Sequence, residues 1–550
     1  NAVCSMVSGF FEGRSTDYTV ERELLTGDFG VYANNTGIKA LNRRAEYALL
    51  NAEKTSVISD SDDRERLTEC WHDVLFDQFH DILGGACIKE AYSDARALYG
   101  MAISTANEIT HYNLQRVTNQ ISMPGKNPDN AWNIVVWNLN AAVYDGYIEA
   151  EVQWAHEFPW YSGGIALEDG DGKRYECQII RERSVIPGFR SRFLFKAQIP
   201  SVGYKAFKVI KTGEEVVRQT IDDPWHISTD IFDVTLSETG GIESVRDKSG
   251  KLIQGRLMCP VCHTDDGDTW AFNIKSYGDP LEAFKEEKLE VVETGELRTV
   301  VKSTLSFRSS KLEMYYSFYK KESYIDIRYR VNWNEKHIAF KLSSDLPENE
   351  HTASIPYGSV VRGESAADVP MGEWLRTDSF TVLSDHIFAY NVTDEDLGLT
   401  VLRSPIYGDL RISELDMDTD WEIMEQGINE GKMRICLSDT PDAPLSAMEF
   451  NNPPVVMCES NHGGNMAPCG SFLDCGAESV MLTVLKKAED SDKTVIRGVE
   501  YSGSEQRIKL RLCGSEYETD VAPHEIFTLM IDGDSIRKVD MLEEGIEQQG

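Results

Sequence analysis

The 550-residue sequence is poor in positive charge: Lys and Arg number 55 against 91 Asp and Glu, a formal net charge of −36. Nucleic acid and anionic membrane surfaces repel such a chain, which excludes both as main partners and favours neutral ligands such as sugars, or cations. Long apolar runs are also lacking. None approaches the roughly 18 residues that cross a bilayer as a helix. Cysteine is sparse, odd in number and scattered, with 11 in the whole chain. That is no disulfide framework, so the thiols are expected to be reduced and the setting cytoplasmic. No basic segment followed by an apolar run marks a signal peptide. The sequons Asn34-Asn35-Thr36 and Asn391-Val392-Thr393 therefore carry little weight. What is present is 41% hydrophobic residues, enough for several packed cores and for about three or four domains.

Two textures follow one another. Ile38, Leu41, Ala45, Leu49 and Ala52 recur at helical spacing, and Ser59 to Asp63 then offers N-caps for a second helix from about Arg64 to Phe79. Gly84-Gly85 interrupts, and a third stripe runs Tyr92, Ala95, Tyr99, Ala102, Ala106, Ile109. Three helices with short connections predict an antiparallel bundle. A break at Met123-Pro124-Gly125-Lys126-Asn127-Pro128 follows. Beyond it the chain alternates in short runs such as Tyr324 to Val331, punctuated by Gly240-Gly241 and Ser249-Gly250, as in β-sandwiches. The expected class is an α+β multidomain chain: an N-terminal antiparallel three-helix bundle, then stacked antiparallel β-sandwich domains.

Three clusters could carry chemistry. In Gln78-Phe79-His80-Asp81-Ile82-Leu83-Gly84-Gly85, a His and an Asp stand at a helix end beside two glycines. Imidazole nitrogen suits Zn²⁺ and a neighbouring carboxylate can orient the ring, although the bare spacing equally describes a capping pair. His72, eight residues back, would lie about 12 Å away along a helix, too far to share an ion with His80. A different type of zinc hydrolase would need further ligands near His80. Cys259-Pro260-Val261-Cys262-His263 matches the haem-attachment pattern but lacks an export signal and an assignable axial partner, and no second Cys pair makes a zinc ribbon. It reads as a buried strand. The run His263 to Trp270 places Asp265, Asp266 and Asp268 beside Trp270. Carboxylates that accept from hydroxyls next to a ring that stacks on a pyranose line sugar sites, and a solvated turn with a packed Trp has the same composition.

These residues form an ordered series. Leu25-Thr26-Gly27-Asp28-Phe29, Lys39 to Glu46, Trp71 and Gln78 to Leu83 come first. Trp137-Asn138-Leu139, Gly240 to Lys248, Ile355-Pro356-Tyr357-Gly358, Leu402-Arg403-Ser404-Pro405 and Met424-Glu425-Gln426-Gly427 follow. Val484 to Asp490 and Pro523 to Leu529 close it. The series resembles glycoside hydrolase family 38, the zinc-dependent α-mannosidases, over about 500 of the 550 residues. The resemblance implies a retaining hydrolase of terminal α-mannosides acting on mannose-containing oligosaccharides, with Zn²⁺ as cofactor. His80 would be a metal ligand, Asp81 the catalytic carboxylate beside it, and Asp268, Trp270 and Glu425 substrate-binding residues.

The family's catalytic barrel, with its His-x-Asp metal pair and nucleophile, would precede residue 23. The chain is therefore expected to be the C-terminal part of such an enzyme and inactive alone. The expected division is a lead-in over 1–22, the bundle over 23–122, a small β domain over 130–215, a large β-sandwich over 216–465 and a C-terminal β-sandwich over 470–550. Two departures stand out. Gly84 replaces the family's Pro, which should loosen the turn after His80, and Glu425 replaces an Asp, moving the carboxylate by about a bond length. A non-catalytic carbohydrate-binding protein built on the β-sandwiches is the alternative. Self-association into a homo-oligomer stays open.

Overall fold

The computed structural model describes residues 29–545 with Glu23 and Leu25, apart from 124–131, 155–162, 182–189, 217–219, 272–273, 348–349, 394–395, 411–418, 438–439, 441 and 478. The lead-in over 1–22, Thr26-Gly27-Asp28 and the break from Pro124 to Pro128 lie outside the described residues. Three long helices come first: α1 (Thr36–Ser59), α2 (Arg64–Asp77) and, after the single turn α3 (His80–Leu83), α4 (Lys89–Thr118). They share one core, in which Ile38, Ala45, Leu49 and Ala52 of α1 meet Leu67 and Val74 of α2 and Ala95, Tyr99, Ala102 and Ala106 of α4. Alanine at these facing positions lets helix axes approach closely. Asp63 precedes α2, but its carboxylate does not cap that helix. It accepts instead from Ser56, Ser61 and Asn113, tying α1 to α4.

Among the described residues no helix is long and apolar enough to cross a membrane. After the helices the sheets are antiparallel. A six-stranded sheet built on Asn133–Asn138 shares a core with the three-stranded sheet of Tyr144–Gln153, Arg190–Ile199 and Gln178–Ile180. A larger core lies among a nine-stranded, a five-stranded and a four-stranded sheet. Trp333 stacks there on Phe307 and Phe340, with ring centroids 6.2 and 5.8 Å apart. Cys259 and Cys262 lie buried in the strand Cys259–Thr264 on its border. Sheets of three and four strands enclose the last core, around Leu482, Ile496, Ile508 and Leu529.

One connection departs from sequence order. Helix α5 (Ala443–Asn451) leads the chain out of the large β region, and Val455–Glu459 pairs with Asn133–Asn138. Asn452 fixes the return: its side chain bonds Asn51 at 2.7 Å and Asn140 at 2.7 Å. These three buried amides satisfy one another where α1, the first β sandwich and α5 meet.

Candidate functional site

The site is organised by the N-terminus of α1. Asn35 takes a left-handed backbone, φ 43° and ψ 50°, so its side chain cannot cap the helix. That capping falls to Glu425, 389 residues away, whose Oε1 accepts from the Thr36 backbone N–H at 2.7 Å and from Thr36 Oγ1 at 3.2 Å. Helix N-termini leave N–H groups unpaired and carry positive potential, so a carboxylate there satisfies both needs. Asn35 Nδ2 turns the other way and donates to the Gly85 carbonyl at 2.9 Å. Asn34 Nδ2 donates to the Thr269 carbonyl, which buries the first sequon asparagine. Lys39, one turn into α1, donates to the carbonyls of Asn34 at 2.7 Å and Gly84 at 3.2 Å.

Through these bonds α1 gathers the three segments that carry the expected site residues. His80 and Asp81 do not end α2, as the periodicity suggests. Phe79 is extended, with ψ 139°, and breaks the helix after Asp77, so His80 opens a separate turn. Gly84, expected to loosen this turn relative to the family's Pro, takes part in its backbone hydrogen bonding. Gly84 N–H donates to the His80 carbonyl at 3.2 Å and Ala86 N–H to the Asp81 carbonyl at 3.0 Å. A Cβ on Gly84 would lie 2.5 Å from the His80 oxygen, so the turn closes tighter than a side chain allows. The two functional groups themselves face outward. The His80 ring is 75% and the Asp81 carboxylate 41% exposed, 3.7 Å apart. Phe76, Phe79 and Ile88, which flank them in sequence, are each more than half exposed.

The acidic run after the strand Cys259–Thr264 sits on the other side of α1's start. Asp265 is no partner for His263: both its oxygens bind Arg403, at 2.8 and 2.9 Å, in an ion pair with no exposure on either side. Arg403 also donates to the Asp268 carbonyl at 3.0 Å. Asp268 is buried, and its carboxylate accepts from the Trp270 backbone N–H at 3.1 Å, a turn-forming bond. The Trp270 ring is left half-buried while its carbonyl accepts from Gly30 N–H at 3.0 Å. Gly30 permits that approach, since a Cβ there would lie 1.8 Å from Arg403 Nη1.

Glu425 is buried rather than open, and burial pushes its carboxyl up to about 7 against the pull of the Thr36 bonds and the Lys39 charge. Burial likewise moves the Lys39 ammonium down to about 7, opposed by Glu425 and Cys87. His386, whose Nε2 lies 3.0 Å from Thr36 Oγ1, falls to about 4 through burial and the charges of Arg43 and Lys39, which keeps it neutral. A carboxyl whose folded value lies above its unfolded one takes up a proton on folding. Its contribution to stability is greatest at low pH and is lost as pH rises from about 4.5 to about 7. Relative to Glu425→Gln, the native chain should lose a few degrees of melting temperature across that window, and parallel melting curves from pH 5 to pH 7 would contradict the burial of this charge.

The roles of Lys39, Asn34, Asn35, Thr36, His386 and Arg403 were not read from the sequence. Lys39 and Arg403 stand inside the ordered motifs, which was the only signal for them. As to metals, the residues present supply an exposed imidazole and one carboxylate. Among the described residues no group of three His, Cys, Asp or Glu could hold an ion, and a catalytic zinc takes about three protein ligands. They fit a fraction of a zinc site.

Comparison with known proteins supplies the context. Residues 29–117 match the alpha mannosidase middle domain, 227–411 the glycosyl hydrolases family 38 C-terminal domain, and 479–549 the glycosyl hydrolases family 38 C-terminal beta sandwich domain. Alpha-mannosidase G of Dictyostelium discoideum is 20% identical over 536 residues, covering 86% of this chain and 47% of that protein. The chain thus spans about half the length of the curated relative it matches. An alpha-mannosidase from Enterococcus faecalis V583 superposes with a TM-score of 0.74 at 13% identity, over 92% of this chain and 68% of its own. A glycosyl hydrolase family 38 protein from Enterococcus faecalis gives 0.74 at 14% identity, over 92% and 71%. At such identities these two structures speak to the fold.

Proposed function

The chain belongs to glycosyl hydrolase family 38, whose middle and C-terminal domains it carries, and from that premise we propose that it is the non-barrel part of a zinc-dependent retaining α-mannosidase. The observation that carries the reading is the His80 turn. A polar network fixes its backbone, while its imidazole and carboxylate stand exposed, with the exposed Phe79 ring 4.2 Å from the His80 ring. Exposed apolar surface of this kind marks an interface, and the proposed occupant is the catalytic barrel.

In this reading His80 gives one nitrogen to Zn²⁺ and the barrel gives the remaining ligands. Bound zinc would supply a fixed positive charge for sugar hydroxyls. Asp81 accepts a hydroxyl of the terminal mannose. The half-buried Trp270 lines the substrate end, and Asp268 holds the turn that presents it. Glu425 acts on substrate only indirectly, by fixing α1 and with it the His80 turn. Retention requires a carboxylate that forms a glycosyl-enzyme and a second that acts as acid and base, and both are assigned to the barrel. The proposed substrates are terminal α-mannosides of oligosaccharides, and a cytoplasmic setting rests on the scattered thiols. The division at 23–122, 130–215, 216–465 and 470–550 belongs to the same proposal. Separate cores support it, with Val455–Glu459 crossing one boundary.

The 550-residue chain, assayed with a chromogenic α-mannoside and added Zn²⁺, should be close to inactive and hold zinc weakly. Robust turnover by it would place the carboxylate pair within this chain and overturn the proposal. In the whole enzyme Trp270→Ala should raise KM for mannosides several-fold with little change in melting temperature. A stacked ring contributes about 1 kcal/mol, whereas a core Trp costs ~3–5 kcal/mol on truncation. A sharp fall in melting with KM unmoved would make Trp270 a packing residue.

A further inference from the structure

The wall that α1 gives to a large cleft is mostly polar, interrupted by Leu50. Lys39, Arg43, Glu46, Glu53 and Lys54 line one side of this cleft of about 1830 Å³. Trp71 of α2, the strand pair His351–Ile355 and Gly358–Arg362, and the C-terminal sandwich close the other sides. Tyr357, at the tip of that hairpin, reaches the sandwich at Thr483 Oγ1, 3.3 Å away.

Three carboxylates in the cleft have partners: Glu53 accepts from Trp71 Nε1 at 2.8 Å, Glu46 from Gln78 at 3.0 Å and Glu373 from Tyr47 at 3.0 Å. Lys54 has none. It is 3% exposed, lines the cleft, and among the described residues makes no hydrogen bond and no ion pair. Its ammonium opens onto the cleft without a protein acceptor among the described residues, so a ligand that accepts from it would take the place of solvent there. Arg43, Arg376, Lys486 and Arg497 share the walls with Glu46, Glu53 and Glu373, so the lining has no single sign of charge and suits a neutral ligand. A neutral polyol accepts from Lys54, donates to the carboxylates and offers C–H faces to Trp71 and Tyr357. Burial shifts both charged neighbours toward neutrality, Glu53 up to about 7 and Lys54 down to about 8, which favours an uncharged ligand.

We propose that this cleft is a second carbohydrate-binding site, taking a linear neutral oligosaccharide. From Lys39 to Lys54 the wall is about 22 Å long, enough for several sugar rings. Its near end is Lys39, bonded to the His80 turn at Gly84, so a glycan lying here would lead away from the proposed catalytic face toward the C-terminal sandwich. The inference goes beyond the mannosidase reading and does not depend on zinc or on a barrel.

Titration calorimetry of the 550-residue chain with α-mannotetraose and with cellotetraose, in EDTA, tests it. At least one sugar should bind, with a dissociation constant in roughly the micromolar to millimolar range, and should change Trp71 fluorescence; Trp71→Phe should remove that change. Lys54→Met should weaken binding by about tenfold or more without lowering the melting temperature. Should Lys54→Met fail to fold, Glu53→Gln, which keeps the acceptor for Trp71, should weaken binding comparably. Absence of binding by both sugars, or unchanged affinity in whichever folded variant is measured, would overturn the proposal. Binding that persists in EDTA separates this outcome from any failure of the zinc assignment.

Discussion

Arg403→Met should cost about 3–5 kcal/mol of stability, more than any other single change considered for the β region. The side chain is wholly buried and so is its partner, with two bonds from Arg403 to Asp265 at 2.8 and 2.9 Å. Removing the guanidinium leaves a carboxylate with no water and no counter-charge. Two further consequences follow from geometry. Arg403 also ties down the Asp268 and Thr269 carbonyls, so the loop that presents Trp270 should loosen with it. The double change Arg403→Met with Asp265→Leu should recover much of the stability, because a buried pair replaced by apolar groups is often neutral. Denaturant unfolding followed by Trp fluorescence checks both variants against the native chain. A single variant as stable as the native chain would show that water reaches Asp265.

Part of this architecture is legible in the residues. The stripes Ile38 to Ala52 and Ala95 to Ile109 are helix faces whose alanines announce close packing, and they sit in one core. The His80-Asp81 pair beside two glycines is visible as a turn. Its separation from α2 is not, because Phe79 favours neither outcome locally, and only its extended backbone, with ψ 139°, marks the break. The partnership of Thr36 with Glu425 spans 389 residues and that of Arg403 with Asp265 spans 138. A Glu in a Met-Glu-Gln-Gly loop looks the same whether it meets a sugar or caps a distant helix. Composition likewise marks the run from Asp265 to Trp270 as acidic without telling which acid is neutralised inside. Strand Val455–Glu459 returns to Asn133–Asn138 across the whole large β region, against the tendency of neighbours in sequence to pair.

The larger functional effect is expected at His80. In the whole enzyme His80→Ala should lower kcat/KM for α-mannosides by more than about 100-fold, since losing even a group that supports a metal ligand typically costs 10–100-fold. Folding should be spared. The ring is 75% exposed, and the turn is fixed by backbone bonds to Gly84, Gly85 and Ala86 that the substitution leaves in place. Activity and metal should therefore fall together while melting stays put. A defect confined to stability would instead mark His80 as a surface residue of the bundle.

Zinc stoichiometry of the whole enzyme, native against His80→Ala and measured by elemental analysis on dialysed protein, addresses the central claim most directly. The account predicts about one zinc per native chain and a clear deficit in the variant, in step with its lost activity. An unchanged zinc content in His80→Ala would contradict it.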